Sequence, residues 1–214
     1  GDKIKIGRRG SINFFLTVKG IQGHTANGHR AENPVHHLTK LLTNILSEPL
    51  DNGNEYFLAT SIQVPTFDVG NSAHNVIPEY ARATINIRFN DHHTAESLIN
   101  WIKIKINEVF ADLKNASCSL TEEISARSFI NKKGELTDIM SKSIAEATGR
   151  NEKPQLATDG GTSDARFIKN YCETAELGIR NQTLHQIDEF VYLKDLEDLE
   201  KLYLKILENY FFKN

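Results

Sequence analysis

The histidines are the residues of this sequence best suited to acid–base chemistry or metal binding, and eight are present. His185 has the most suggestive surroundings, because Asp188 and Glu189 follow it closely in a predicted loop. Neutral imidazole is a common zinc ligand, and carboxylates bind beside it or hold its ring in place. His24 lies in a glycine-containing loop between two predicted elements, where functional side chains are often presented. On local pattern alone, a surface or packing role is favoured for His24, and a role as a polar loop residue is favoured for His185.

A second candidate is the loop DGGTSDAR at 159–166. Its adjacent glycines leave backbone N–H groups able to point at an anion, and Thr162 and Ser163 add hydroxyl donors. The loop lacks the lysine and the spacing of a nucleotide-binding P-loop, so a carboxylate or a phosphate is the expected ligand. The alternative is a tight turn in which Ser163 or Asp164 caps a helix.

Three arginines form the third set of candidates. Arg8 and Arg9 lie between glycines, just before the first predicted strand. Adjacent arginines at a domain junction are suited to binding a substrate carboxylate through paired N–H groups, although ordinary surface charges are equally consistent with the pattern. Arg88 lies on the polar face of a predicted strand and requires a partner if that face is covered.

The elements that must position these residues follow a clear order in the first half of the chain. Apolar residues at helical spacing predict helices that begin at Asn33-Pro34 and near Thr94. Alternating apolar residues predict strands at 11–19, 56–64, 81–89 and 116–124. The order β-α-β-β-α-β is that of the ferredoxin-like split arrangement. We therefore predict an α+β fold class, with a ferredoxin-like domain at 10–124 whose sheet edges favour dimerisation.

The second half of the chain has a different organisation. A helix is predicted at 136–147, ended by Gly149, and is followed by a short strand at 173–177 and a terminal amphipathic helix. These elements are too few for a self-sufficient core and indicate part of an α/β layer. We therefore predict a junction segment at 1–9, the ferredoxin-like domain at 10–124, and the carboxy-terminal part of an α/β catalytic domain at 125–214.

The composition argues against several classes of partner. The formal net charge of −3 and the absence of a Lys/Arg-rich run argue against nucleic acid and an anionic membrane surface. No apolar stretch approaches the length of a membrane span, and the start of the chain lacks the apolar segment of a signal peptide. Two cysteines make a thin disulfide framework, so a reducing, cytoplasmic location is expected. The start at Gly1 rather than Met suggests that the chain has been cut or processed.

Several short motifs occur in an order that resembles one enzyme family. They are GRRGS (7–11), IQGHTA (21–26), ENPVH (32–36), GNEYF (53–57), NVIP (75–78), INIRF (85–89), GGTSDARF (160–167) and NQTLHQIDE (181–189). Together they resemble the bacterial succinyl-diaminopimelate desuccinylase family, within the aminoacylase/carboxypeptidase-like zinc metallopeptidases. The resemblance runs over essentially the whole chain. It implies zinc-dependent hydrolysis of the succinyl amide of N-succinyl-LL-diaminopimelate, a step of lysine and diaminopimelate biosynthesis.

The resemblance also implies roles for individual residues. His185 matches a zinc ligand, and His24 matches the histidine of the dimerisation (lid) domain that reaches into the partner subunit's active site and stabilises the oxyanion. The other matches are to substrate-binding positions, namely Arg8, Asn75, Arg88, Ser125, Gly161, Thr162 and Asn181. The implied cofactor is zinc, with two ions per subunit in the complete enzyme and cobalt as an alternative metal. The implied partners are a small dicarboxylate substrate and a second copy of the chain, bound through the lid domain.

The sequence also departs from the pattern of that family. Asn27-Gly28 replaces a Tyr-Pro pair, and His74 occupies a position where a small or amide residue is usual. The family's Gly-His-x-Asp zinc motif, its further acidic ligand and its glutamate general base are not found in these residues. A catalytic zinc needs about three protein ligands, so we expect this chain alone to be inactive. Two alternatives stay open: a deacylase for a related amino acid such as acetylornithine, and a non-catalytic dimerisation or ligand-binding module.

Overall fold

The computed structural model describes residues 3–131, 133–149, 152–179, 182–184 and 186–212. The chain divides into two compact units, one formed by Arg9–Ser128 and the other by Gly1–Arg8 together with Phe129–Asn214. The strands are β1 (Lys3–Lys5), β2 (Gly7–Arg8), β3 (Gly10–Lys19), β4 (Gly23–His24), β5 (Ser61–Asp68), β6 (Val76–Ile77), β7 (Tyr80–Phe89), β8 (Ser117–Ala126), β9 (Phe129–Ile130) and β10 (Gln155–Ala157). The helices are a 3-10 helix (Thr25–Arg30), α1 (Pro34–Leu46), α2 (Ala95–Phe110), α3 (Glu135–Thr148), α4 (Ala165–Ile168) and α5 (Leu193–Phe211).

The Arg9–Ser128 unit is an antiparallel four-stranded sheet with the strand order β5-β7-β3-β8. Along the chain its main elements run β3-α1-β5-β7-α2-β8. This combination of chain order and sheet order is the ferredoxin-like arrangement that the sequence predicts. The predicted fold class is therefore confirmed.

The core of this unit lies on one face of the sheet. Alternate residues of β3 and β7 are buried there, since successive side chains of a strand point to opposite faces. The apolar stripes of α1 and α2 belong to the same cluster of buried residues. The largest fully buried members are Ile12, Phe14, Leu16, Leu38, Leu41, Ile45, Ile85, Ile87, Phe89 and Leu98. The other face of β3 and β7 carries mainly polar side chains, with the exposed Phe15 as an exception.

Helices α1 and α2 begin directly after Asn33 and Thr94, the capping residues from which the sequence predicts their starts. The side chain of Asn33 accepts a hydrogen bond from the Val35 amide at 3.0 Å, and Pro34 takes the first helical position. The side chain of Thr94 accepts from the Ser97 amide at 3.1 Å, and the Ser97 hydroxyl accepts from the Thr94 amide at 3.0 Å. These bonds satisfy backbone donors that have no partner inside a helix.

The second strand of the unit is displaced from its predicted position. It was expected at 56–64 and runs over Ser61–Asp68. The carboxylate of Asp51 accepts hydrogen bonds from the amides of Gly53 and Thr60, and Oδ1 of Asn54 accepts from the amides of Tyr56 and Phe57. Side-chain oxygens thus accept hydrogen bonds from the backbone N–H groups that a strand would use for pairing, so the segment folds into a loop.

The second unit contains two small strand pairs and a helix pair. Strands β1 and β10 are parallel, and β2 and β9 are antiparallel. Helix α3 ends at Gly149, whose φ of 67° suits glycine, and it packs against α5. On the buried side of α5, Asn209 donates hydrogen bonds at 3.0 Å to Ser143 and to Glu146 of α3. No helix within the described part of the chain has the length and apolar character needed to cross a membrane.

The strand predicted at 173–177 is reduced to an isolated bridge between Lys5 and Glu176. The carbonyl of Thr174 accepts a hydrogen bond from the side chain of Asn131 instead of joining a ladder, so pairing does not extend. Cys172 lies in an exposed turn after α4. Both Cys172 and Cys118 are free thiols.

Candidate functional site

In the Arg9–Ser128 unit, the first candidate pair is His24 and Asn75. Strands β4 and β6 place His24 opposite Val76, one residue after Asn75. The Thr25 amide donates to the carbonyl of Asn75 at 3.0 Å, which holds the two segments together. As a result, Nε2 of His24 lies 3.5 Å from the carboxamide nitrogen of Asn75. Two residues that are far apart in the sequence therefore form one polar group.

The tautomer of His24 is set by its own loop. The Ala26 amide donates a hydrogen bond to Nδ1 of His24 at 3.0 Å. A ring nitrogen that accepts a hydrogen bond carries no proton, so the neutral imidazole holds its proton on Nε2. The side chain is exposed. His24 therefore presents an N–H donor outward, which is the group needed to stabilise a developing oxyanion.

Arg88 and Ser125 lie on the sheet face opposite the helices. Arg88 stands in register with Ser11 of β3 and Ser61 of β5. Ser125 accepts a hydrogen bond from Asn13 at 3.4 Å. The guanidinium of Arg88 makes no hydrogen bond or ion pair with any residue that the structure describes, and no hydrogen bond within those residues links it to Ser125 or to the His24–Asn75 pair. This face offers a half-buried cation to a ligand.

In the second unit, the candidate residues gather around Arg8. Its Nε donates to Oε2 of Glu176 at 2.9 Å, Nη2 lies 2.9 Å from the same oxygen, and Nη1 donates to the carbonyl of Asp159 at 2.5 Å. The second carboxylate oxygen of Glu176 accepts from the hydroxyl of Ser163 at 2.5 Å. Arg8 is thus bound to the beginning of the loop 159–166, although Asp159 is 151 residues away in the sequence.

The loop itself approaches Arg8 through Gly160. The φ of Gly160 is 113°, and a Cβ at this position would collide with Nη1 of Arg8. Only glycine fits both conditions. Gly161 and Thr162 are exposed, and space is open around the Cα of Gly161. Ser163 accepts a hydrogen bond from the Ala165 amide at 3.1 Å, which forms a tight turn just before α4. The N-cap position of α4 is Asp164, whose side chain makes no capping hydrogen bond, so of the alternative expected from the sequence the turn is present and a side-chain helix cap is not.

An ion pair between Lys5 and Asp159 holds the start of this loop. Burial disfavours the charged form of Asp159, but the hydrogen bond from Lys5 at 2.5 Å and the charges of Lys5 and Lys3 outweigh it and lower the pKa of this carboxyl. Lys5 and Glu176 were not assigned from the sequence, and Asp159 and Gly160 entered it only as members of the candidate loop 159–166. The one signal for Glu176 was a charged residue inside a segment predicted as a strand.

Asn181 and His185 lie outside the described residues. Between them in the sequence, Thr183 donates through its hydroxyl to the carbonyl of Phe190 at 2.9 Å and accepts from the Phe190 amide at 3.2 Å. Asp188 adopts a φ of 62°, which is uncommon for a residue other than glycine. Within the described residues, no group of three or more His, Cys, Asp or Glu side chains is arranged to hold a metal ion. These residues by themselves do not form a zinc site.

Comparison with known proteins covers both units. The sequence model for the peptidase dimerisation domain family matches residues 6–114. The succinyl-diaminopimelate desuccinylases of Methylocella silvestris and Cereibacter sphaeroides are 46% and 44% identical to this chain over 211 residues. The match covers 99% of the chain but only 54% and 55% of those relatives. The chain therefore spans about half the length of the curated relatives it matches.

Solved structures with a similar fold are more distant in sequence. A tripeptidase from Staphylococcus aureus gives a TM-score of 0.78 at 20% identity and covers 97% of this chain and 53% of its own. A metallo-carboxypeptidase from Sulfolobus solfataricus gives a TM-score of 0.74 at 13% identity, covering 97% of this chain and 60% of its own. At these identities the similarity is one of fold.

Proposed function

This chain belongs to the peptidase dimerisation domain family, and on that premise we propose that it is the carboxy-terminal part of a metal-dependent succinyl-diaminopimelate desuccinylase. The observation that carries the proposal is the identity of 44–46% over 99% of the chain, which extends well beyond the dimerisation domain. The proposed reaction is hydrolysis of the succinyl amide of N-succinyl-LL-diaminopimelate by the complete protein. We also propose a cytoplasmic location for the complete protein, as the small number of cysteines in this chain suggests.

The proposed substrate has a carboxylate at the end of its succinyl group, and Arg8 suits that group. Arginine binds carboxylates through paired N–H donors, and the glycine loop beside Arg8 adds exposed backbone. We assign substrate binding to Arg8, Gly161, Thr162 and Asn181 in one unit, and to Asn75, Arg88 and Ser125 in the other.

We assign to His24 the role of oxyanion donor, acting from the neighbouring subunit of a homodimer. Support comes from its exposed Nε2 donor, whose proton is fixed there by the bond from Ala26. The dimerisation domain supports the homodimer, and strands β5 and β8 leave the two edges of the sheet available for association.

We propose zinc as the metal, with His185 as one ligand. The described residues do not complete a ligand set, so we infer that the remaining ligands come from outside them, and we expect the chain by itself to be inactive. A bound zinc ion would supply Lewis-acid polarisation of the amide carbonyl. This chain's own share of the chemistry is to bind the carboxylates and to donate a hydrogen bond from His24.

The test is an assay of the complete protein with N-succinyl-LL-diaminopimelate and N-acetylornithine, with and without a chelator. Faster hydrolysis of the succinyl substrate, abolished by the chelator, is the expected result. A preference for N-acetylornithine would identify a deacylase for a related amino acid. Binding of dicarboxylates without any hydrolysis would identify a non-catalytic module.

A further inference from the structure

Three segments that are distant in the sequence meet at the carboxylate of Glu176. Its Oε2 accepts a hydrogen bond from Nε of Arg8 at 2.9 Å, and Oε1 accepts from the hydroxyl of Ser163 at 2.5 Å. The backbone of Glu176 is held as well, because its N–H and its C=O each bond to Lys5 at 2.8 Å. One carboxylate therefore joins the strand that carries Arg8 to the glycine loop 159–166.

The contacts of Arg8 leave a defined set of donors for a ligand. A guanidinium carries five N–H groups in a rigid plane. Nε and one N–H of Nη2 face Glu176, and one N–H of Nη1 faces the carbonyl of Asp159. Each terminal nitrogen, Nη1 and Nη2, therefore keeps one further N–H group, and no described residue accepts a hydrogen bond from it. Donors on both terminal nitrogens are what a carboxylate uses when it binds arginine through two bonds.

An arginine without a fixed partner would not keep those two donors in one place. Its long side chain occupies many rotamers in water, and ordering them when a ligand binds weakens affinity. Here the side chain of Arg8 is only 14% exposed and that of Glu176 is 31% exposed. Their ion pair is partly removed from water, where charge-assisted hydrogen bonds hold a geometry more strongly.

We propose that Glu176 is a positioning residue that presents Arg8 to the carboxylate of the substrate's succinyl group. It also keeps the loop 159–166 in register with Arg8, since its second oxygen binds Ser163. This inference rests on the proposed function, because that function supplies the succinyl carboxylate. Glu176 itself does not contact the substrate and acts through Arg8.

The test measures the affinity of the complete protein for succinate by titration calorimetry, and its melting temperature in parallel. Glu176→Gln keeps the size of the side chain but removes the anion that orients Arg8. We expect it to weaken succinate binding by about tenfold or more, the equivalent of one charge-assisted hydrogen bond. Ser163→Ala removes the bond to Oε1 and the acceptor of the Ala165 amide but keeps the pair of Arg8 with Glu176, so a smaller loss is expected, and this variant serves if Glu176→Gln does not fold. Glu200→Gln, an exposed change on α5, is the matched control and should bind succinate normally.

A double variant separates positioning from a general structural role. If Glu176 acts through Arg8, adding Glu176→Gln to Arg8→Lys should weaken binding little beyond Arg8→Lys alone, because coupled residues are non-additive. Full additivity would overturn the proposal. So would unchanged affinity in Glu176→Gln, or a wild-type protein that does not bind succinate. Hydrolysis is measured separately, so a protein whose succinate binding depends jointly on Arg8 and Glu176 but which hydrolyses nothing would refute the proposed function and leave the carboxylate site standing.

Discussion

The backbone amide of Ala26 donates a hydrogen bond to Nδ1 of His24 across 3.0 Å. This single contact fixes the neutral imidazole with its proton on Nε2, the nitrogen on the side of Asn75. A solvent-exposed histidine would otherwise exchange between two tautomers. The loop thus prepares a hydrogen-bond donor before any substrate is present, which is what makes an oxyanion donor effective.

Removal of the His24 imidazole should reduce turnover strongly. In the complete protein, we expect His24→Ala to lower kcat by roughly a hundredfold or more, as the loss of other oxyanion donors does. The measurement is steady-state hydrolysis of N-succinyl-LL-diaminopimelate. His29→Ala, an exposed change in the 3-10 helix that follows His24, is the control and should keep full activity. A His24→Ala protein that is as fast as wild type would rule out the assigned role.

Mixed dimers should reveal which subunit's site His24 serves. Subunits carrying His24→Ala are co-expressed with subunits carrying Arg8→Ala, each inactive by itself. If His24 acts across the dimer, each mixed dimer contains one intact site, and random pairing should restore about a quarter of the wild-type activity. Tagging the two subunits differently allows the mixed dimer to be isolated and assayed. No recovery in the isolated mixed dimer would mean that His24 acts within its own subunit.

Asp51 should make the Arg9–Ser128 unit sensitive to acid. Its side chain is 7% exposed. Burial acts to raise the pKa of this carboxyl, but hydrogen bonds from Thr60, Gly53 and Asn90 together outweigh it and lower the pKa from 3.8 to about 2. Because the folded pKa lies below the unfolded one, the stabilisation is complete above a pH of about 4 and is lost as the pH falls towards 2. It amounts to about 2 kcal/mol.

Asp51→Asn should therefore lower the free energy of unfolding of that unit near neutral pH and remove much of its dependence on pH between 4 and 2. Urea denaturation followed by the fluorescence of Trp101, the single tryptophan, reports on this unit because Trp101 packs against its core. Glu48→Gln, at an exposed position, should leave the profile unchanged. An identical acid profile in Asp51→Asn would show that other groups carry the effect.

Gly160→Ala should destabilise the second unit. The φ of 113° disfavours any side chain, and the new Cβ would displace the guanidinium of Arg8. A strained backbone of this kind costs about 1–3 kcal/mol. Thermal unfolding of the complete protein measures the change, with Gly161→Ala as the comparison, because the space around Gly161 is open. Equal melting temperatures for the two variants would contradict the close approach of the loop to Arg8.

The ferredoxin-like unit could be predicted from the sequence because the patterns that indicate its strands and helices lie within short segments of the chain. Alternation in β3 and β7 places Phe14 and Ile85 on one face, and the caps at Asn33 and Thr94 fix where the helices begin. The exception, the strand predicted at 56–64, failed for a reason that is only partly local. Asn54 binds its near neighbours, but Asp51 reaches Thr60 and is itself held by Asn90, which lies 39 residues away.

The candidate site, like the fold, was predicted from the sequence only in part. The sequence by itself determined which residue types are available, namely His24 in its glycine-containing loop, Arg8 between glycines, and the DGGTSDAR loop. Only the tertiary structure decided what surrounds them: the carboxamide nitrogen of Asn75 lies 3.5 Å from Nε2 of His24, and Glu176, 168 residues from Arg8, accepts a hydrogen bond from its guanidinium. Hydrogen bonds form between atoms that the fold brings within about 3 Å, and separation along the chain gives no measure of that distance. Local sequence therefore determined which functional groups are present, while the orientation of their side chains depended on contacts between distant segments.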